Sequence, residues 1–287
     1  MKLNKHNLEV HSFVEKLTRI ISVPILNSLN TYVKSLMRKT SGDAGRVVET
    51  SGTTHALEVM YSRYERSIFE KGFFSGLANY FWHHFVSQPA ALRNRLKIVK
   101  KMVLDELEDR LPNADYVNIA NIGGGSSRAV IETLKSLSKD YCVGKVRITN
   151  IDKDNSAIEL SKTIAKNNDL YENFHWIQGS ASNYNNYIPK KTVDIAEMVG
   201  LMDYFNDEKA ILIARMIHDS LRERGVFIVA NVTDNSEKMF VKKMGWPKMY
   251  YRDCDQLVKI LYQSGFSKIR EYTFEPLGVH IIIKASK

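Results

Sequence analysis

The 287-residue chain has only two cysteines, Cys142 and Cys254, far apart and without other ligands at metal-binding spacing. That excludes a disulfide framework and a cysteine-type zinc site. No H-E-x-x-H pattern occurs either, so no bound metal is expected. No stretch approaches the run of about 18 apolar residues needed to span a bilayer. The N-terminal stretch MKLNKHNLEVHSFVEKLTR scatters charges among its apolar positions and lacks a signal-peptide core. These absences make a cytosolic location the expectation. Internal repeats and low-complexity linkers are also missing.

What is present suits a globular protein with a real core: 44% hydrophobic and 25% charged residues. The length allows one large domain or two small ones. A net charge of +9 invites an anionic partner such as nucleic acid. Residues 1–110 hold 17 Lys and Arg against 11 Asp and Glu, a net of +6. Part of that excess is RNRLKIVKK, Arg93 to Lys101, which reads as a solvated helix face. An RNA site would need those bases to cluster on the surface.

Two regimes divide the chain. Residues 1–110 read as helices. Apolar residues at 92, 96, 99, 103 and 107 share one helix face, with Pro89 before it and Pro112 ending it. The aromatic stretch from Ala56 to Phe85, interrupted by Gly72 and Gly76, reads as short helices and a loop. Residues 111–287 alternate strand and helix, with apolar runs at Val117–Ile122, Val146–Ile151, Phe174–Ile177, Val193–Val199 and Val226–Val232. Amphipathic segments intervene, one sharing Val130, Leu134 and Leu137, another Ala210, Ala214, Ile217 and Leu221. Asn206 reads as the N-cap of the second and Gly225 as its stop. Such alternation implies right-handed crossovers and a parallel sheet covered on both faces. A capping box, Asp253 to Gln256, opens a last helix that closes at Gly265. Then Lys268–Phe274 and Val279–Ile283 flank EPLG, a hairpin that adds an antiparallel last strand.

In NIANIGGGSSRAVIETL, three glycines follow the first strand, where an open α/β sheet binds ligands. Bare backbone there lets a ligand approach closely, and Ser126 or Ser127 can cap the next helix. A tight turn without a ligand is the alternative. The second strand ends in Asn150-Ile151-Asp152, which sets a carboxylate where it can bridge two ribose hydroxyls. Its alternative role is a charge at a helix N-terminus, shared with Asp154. A dinucleotide fingerprint wants a third glycine where this chain has Arg128. The pattern fits S-adenosylmethionine better, which brings one ribose and no pyrophosphate.

On these residues the chain resembles the class I S-adenosylmethionine-dependent methyltransferases over residues 116–287. Their first motif, acid-apolar-G-x-G-x-G, is met by Asn121, Ile122, Gly123, Gly124, Gly125, Ser126 and Ser127, with Asn121 for the acid and Ser127 for the last glycine. QGSASN, Gln178 to Asn183, corresponds to the third strand end, with Ser180 where an adenine-contacting Asp is common. AEMVGLMDYF, Ala196 to Phe205, matches the fourth strand end. RNRLKIV, GLMDYF and MYYRDCDQL are similar to a bacterial subgroup with a helical N-terminal region, some members of which are linked to fatty-acid methyl-ester signals. The resemblance implies an α/β, Rossmann-like, mostly parallel seven-stranded sheet with an antiparallel last strand and a helical N-terminal cap. It implies a cap at 1–110 and a cofactor domain at 111–287. Cofactor contacts are implied at Asn121, Gly123, Gly124, Gly125, Asp152, Lys153, Ser180, Ala181 and Val199, and Asn94 or Arg95 is expected to reach cofactor or substrate from the cap.

Methyl transfer needs mainly an aligned nucleophile, plus a base if that nucleophile starts as a neutral hydroxyl. Base candidates are Glu197, Asp203, Tyr204, His83 and His84, each with a plain packing or capping alternative. No Asn/Asp-Pro-Pro-aromatic loop points to base amino groups, and no Pro-Cys nucleophile points to cytosine C5. Tyr61, Tyr64, Phe69, Phe73, Phe74, Tyr80, Phe81 and Trp82 line an apolar substrate pocket or form ordinary core. The expectation is methylation, with oxygen favoured, of a small, partly apolar molecule. Alternatives are an RNA methyltransferase and a catalytically silent partner subunit. The oligomeric state and the acceptor are not legible.

Overall fold

The computed structural model describes residues 8–28, 32–40, 42–61, 72–137 and 143–287, so Cys142, Tyr64 and Phe69 lie outside the described residues. The strands are β1 (Val117–Ile122), β2 (Val146–Asp152), β3 (Phe174–Gln178), β4 (Val193–Val199), β5 (Leu221–Val232), β6 (Lys268–Phe274) and β7 (His280–Ser286). They form one sheet in the order β3-β2-β1-β4-β5-β7-β6. The β1–β2, β1–β4, β2–β3 and β4–β5 pairs are parallel, and β7 runs antiparallel to β6. The order reverses at β1, with β2 on one side and β4 on the other, which makes its carboxyl end the switch point.

Helices α1 (Phe13–Ser28), α2 (Val33–Thr40), α3 (Gly42–Glu49), α4 (Thr54–Tyr61) and α5 (Phe73–His84) precede the long α6 (Ser87–Arg110). Then come α7 (Arg128–Ser136), α8 (Asn155–Lys166), α9 (Asp207–Ser220), α10 (Lys238–Lys243) and α11 (Cys254–Gln263). By compactness the chain divides inside α6. One unit comprises residues 1–95, 233–248 and 275–280, and the other 96–232, 249–274 and 281–287.

The sheet unit buries an aliphatic core in which Ile122, Ala196, Phe227 and Ile283 from the strands meet Ala214, Ile217 and Leu261 from α9 and α11. Asn206 caps α9 by accepting from Lys209 N–H, and Asp253 and Gln256 form the reciprocal capping box of α11. Gly225 does not stop α9. The helix ends at Ser220, and the chain enters β5 with Leu221 opposite Val193 and Val226 opposite Ile195. The extra residues bulge out, with Arg224 at φ 64° taking the left-handed turn expected of the glycine.

The helical unit has its own core of Val47, Val48, Met60, Trp82, Leu92 and Phe240. Here α6 starts five residues before Leu92, with Pro89 in its first turn, where the missing N–H costs nothing. Arg93, Asn94 and Arg95 are not a solvated face, because all three are buried. Arg93 forks onto the Glu9 carboxylate at 2.9 and 2.6 Å and donates to Met60 O at 3.0 Å. Asn94 accepts from Glu9 N–H at 2.7 Å and donates to Glu9 O at 2.8 Å. Periodicity missed this because such side chains enter a core only when partners from distant parts of the chain satisfy them.

His280 is also buried in this unit. Burial holds it well below the usual histidine range, and the charge of Arg95 pushes the same way. The folded state therefore keeps it neutral, while the unfolded chain takes up a proton below the ordinary value of 6.5. Its stabilising contribution is complete above that pH and is lost as pH falls below it. His11 and His218 are lowered in the same direction, by burial first. The His280→Asn variant is expected to lose less stability on acidification than the parent. Urea midpoints at about pH 5 and about pH 8 check this, and an unchanged difference between them would refute it.

Candidate functional site

The loop after β1 hooks onto β2, with Gly123 and Gly124 N–H donating to Ile151 O at 2.8 and 3.3 Å. Gly123 (φ 61°) and Gly125 (φ 52°) are left-handed, as is Ser127 (φ 55°), which stands where the family has its last glycine. Ser127 gives α7 no side-chain cap; its hydroxyl instead meets Ser161 Oγ at 2.8 Å, and Ser161 Oγ also accepts from Trp176 Nε1 at 3.0 Å.

Gly124 needs room for a different reason. A Cβ there would lie 2.0 Å from Asn150 Oδ1 and 2.3 Å from Asn121 Nδ2. The close approach inferred from the glycines is thus made, at this position, by the chain's own side chains. Asn150, Asn121 and Glu197 occupy adjacent places across β2, β1 and β4, and all three are buried. Asn121 Nδ2 and both side-chain polar atoms of Asn150 have no protein hydrogen-bond partner. Buried polar atoms in that state are uncommon. Asn150 escaped notice in the sequence because only strand register sets it beside Asn121.

Asp152 ends β2. One carboxylate oxygen accepts from Gly125 N–H and the other from Asp154 N–H, both at 2.9 Å. The cap of α8 is Asp154, which accepts from Ser156 N–H at 2.9 Å. Each Asp152 oxygen keeps further acceptor capacity. Lys153 follows and is exposed. At the end of β3, Gly179 N–H donates to Asp152 O at 2.8 Å. Ser180 caps the 3₁₀ turn Ala181–Asn186 by accepting from Ser182 N–H at 3.2 Å, and Ala181 is buried in the core. Val199 closes β4, half-buried. The strand ends thus bring Gly123–Gly125, Asp152, Ser180 and Val199 to one edge of the sheet.

Other candidates are occupied differently. Asp203 is no cap; its carboxylate accepts from Val232 N–H at 2.6 Å. Arg252, which sequence reasoning passed over, holds the β4–α9 connection by donating to Asn231 Oδ1, Asp207 Oδ1 and Phe205 O at 2.9, 2.9 and 2.6 Å. His83 is a packing residue, buried with Nε2 3.0 Å from Asp43 Oδ2. His84 is half-buried, stacked on Tyr80 at 4.2 Å. Of the described aromatics in the N-terminal group, Trp82 is core, whereas Phe74 and Tyr80 are exposed. Arg95, in the helical unit, is 3% exposed. Its Nη2 lies 3.5 Å from Tyr61 Oη, and its Nε has no acceptor.

No family model and no curated protein matches the sequence. Solved structures match the fold. The chain has the class I S-adenosylmethionine-dependent methyltransferase fold. Magnesium protoporphyrin IX methyltransferase (ChlM) from Synechocystis, crystallised with SAH, is similar at TM-score 0.57 and 15% identity, with 85% of this chain and 99% of that chain covered. A possible exported protein from Bordetella parapertussis is similar at TM-score 0.67 and 14% identity, over 83% of this chain and 80% of that one. The [4+2]-cyclase SpnF is similar at TM-score 0.50 and 14% identity, over 69% and 82%. The methyltransferase fold therefore also carries a protein named for another reaction, and fold alone does not decide chemistry. Among the described residues no helix is long and apolar enough to cross a membrane, and no cluster of metal-ligating side chains occurs.

Proposed function

We propose that the protein binds S-adenosylmethionine at the carboxyl ends of β1 to β4 and transfers its methyl group to a small, partly apolar molecule. The observation that carries this is the Asp152 carboxylate. It is lashed to the glycine loop through Gly125 N–H and sits at the switch point with acceptor capacity for a ribose diol. Gly123–Gly125, Lys153, Ser180, Ala181 and Val199 would line the same edge, with Asn121 beneath the loop. Structural neighbours solved with SAM or SAH support the choice of cofactor. Arg95 is assigned to an anionic group, because a buried guanidinium with an unsatisfied Nε favours one.

The bound sulfonium would supply an already activated methyl group, leaving the chain to bind, orient and exclude water. Asp203 is engaged by backbone, so no base is assigned to it. An oxygen acceptor that is already anionic, such as a carboxylate, would need no base.

Calorimetry should show saturable binding of S-adenosylmethionine and none of a nicotinamide dinucleotide. The reverse outcome removes the proposal. Mass spectrometry of extract products formed with labelled S-adenosylmethionine would then identify the acceptor, and label appearing only in RNA would favour the nucleic-acid alternative.

A further inference from the structure

Helix α1 buries Val23 and Leu26 but leaves most of its apolar residues in solvent. Its polar residues face the protein: Arg19 pairs with the buried Glu237 and donates to Phe85 O at 2.6 Å. Asn27 accepts from Phe240 N–H at 2.9 Å and donates to Ser236 O at 2.7 Å. Most of its apolar residues face outward. Phe13, Leu17, Ile20, Ile21 and Ile25 recur at helical spacing and are 75%, 49%, 69%, 68% and 53% exposed. Helix α5 is similar: Asn79, Trp82 and His83 are buried, whereas Phe74, Leu77 and Tyr80 are exposed. The two helices are neighbours, since Glu15 lies 3.6 Å from His84 and Tyr80 stacks on His84. An ordinary surface helix exposes little of its apolar stripe, so two adjacent helices that leave most of theirs in solvent mark a binding face.

Exposed charge in this unit is mainly basic. Among the described residues of this unit, seven exposed side chains are basic (Lys34, Arg38, Lys39 and Lys242 among them) and two are acidic, Glu49 and Asp234. Helix α10, which carries Lys242, packs on α1, and Lys243 donates to Asn27 O. We propose that α1 and α5 dock the protein on an anionic lipid surface, with the apolar stripe in the headgroup boundary and the basic residues on acidic headgroups. A second copy is the poorer occupant. A two-fold interface sets a patch against itself, so the basic rims would repel.

The test is co-sedimentation of the full chain with phosphatidylglycerol-containing vesicles and with pure phosphatidylcholine vesicles. Binding is expected to the first, weakening with salt, and at least about tenfold less to the second. Ile20→Glu with Ile21→Glu should abolish it. Lys34→Ala with Lys242→Ala should reduce partitioning about 30-fold, since each basic residue contributes about a factor of five at an anionic surface. These side chains are exposed, so melting temperatures should not move; Phe74→Ser on α5 is the second apolar variant if the isoleucine pair misfolds. Absent binding to anionic vesicles, or binding indifferent to both apolar variants, overturns the proposal. A dimer in sedimentation velocity that Ile20→Glu with Ile21→Glu dissociates would assign the face to a second copy instead.

Discussion

Asp152→Ala is expected to weaken S-adenosylmethionine binding about 10- to 150-fold, the loss of one charge-assisted hydrogen bond of about 1.5–3 kcal/mol. The same change releases Gly125 N–H and Asp154 N–H, so the melting temperature should fall as well. Asp152→Asn separates the two effects. It keeps an acceptor for one of those amides and loses the charge, so affinity should fall more than stability does. Asp154→Ala is the control. It removes the cap of α8, costing about 1 kcal/mol of stability, and should leave affinity unchanged. Equal, small affinity losses for Asp152→Ala and Asp154→Ala would mean that Asp152 only holds the loop together.

Gly124→Ala should cost about 1–3 kcal/mol of stability by overpacking, because its Cβ would fall on Asn150 Oδ1 and Asn121 Nδ2, both fully enclosed. The penalty is therefore not a property of the ligand. It appears as a lowered melting temperature without any cofactor present. Adding Asn150→Ala should return part of the loss, a coupling that a double-mutant cycle measures directly. A Gly124→Ala protein that melts like the parent and merely binds cofactor less well would instead restore the reading in which the glycine makes room for the ligand.

Much of the sheet unit was legible in the sequence. The limits of β1 and β4 agree with the apolar runs, because a strand buried on both faces must be apolar at nearly every position. The caps at Asn206 and Asp253 were legible for a local reason: a cap bonds amides only a few residues away. Gly225 failed because the same residue can stop a helix or sit in a bulge, and only the register of β5 on β4 chooses. In the site, Asp152 was legible from its place at a strand end. Its bond to Gly125 was not, since that depends on how the loop crosses β2.

The sequence by itself determined the alternating strand–helix order, the glycine turn and the carboxylate at the second strand end, all carried by periodicity and nearest-neighbour stereochemistry. Tertiary structure alone decided which polar residues go inside. Arg93 and Asn94 are buried because Glu9 and Met60 return to meet them, and Asn150 lies under Gly124 because β2 pairs with β1 in one register. It also decided that α1 leaves most of its apolar residues in solvent. A helical pattern states that two faces differ, and only long-range partners such as Glu237 for Arg19 determine which one turns inward.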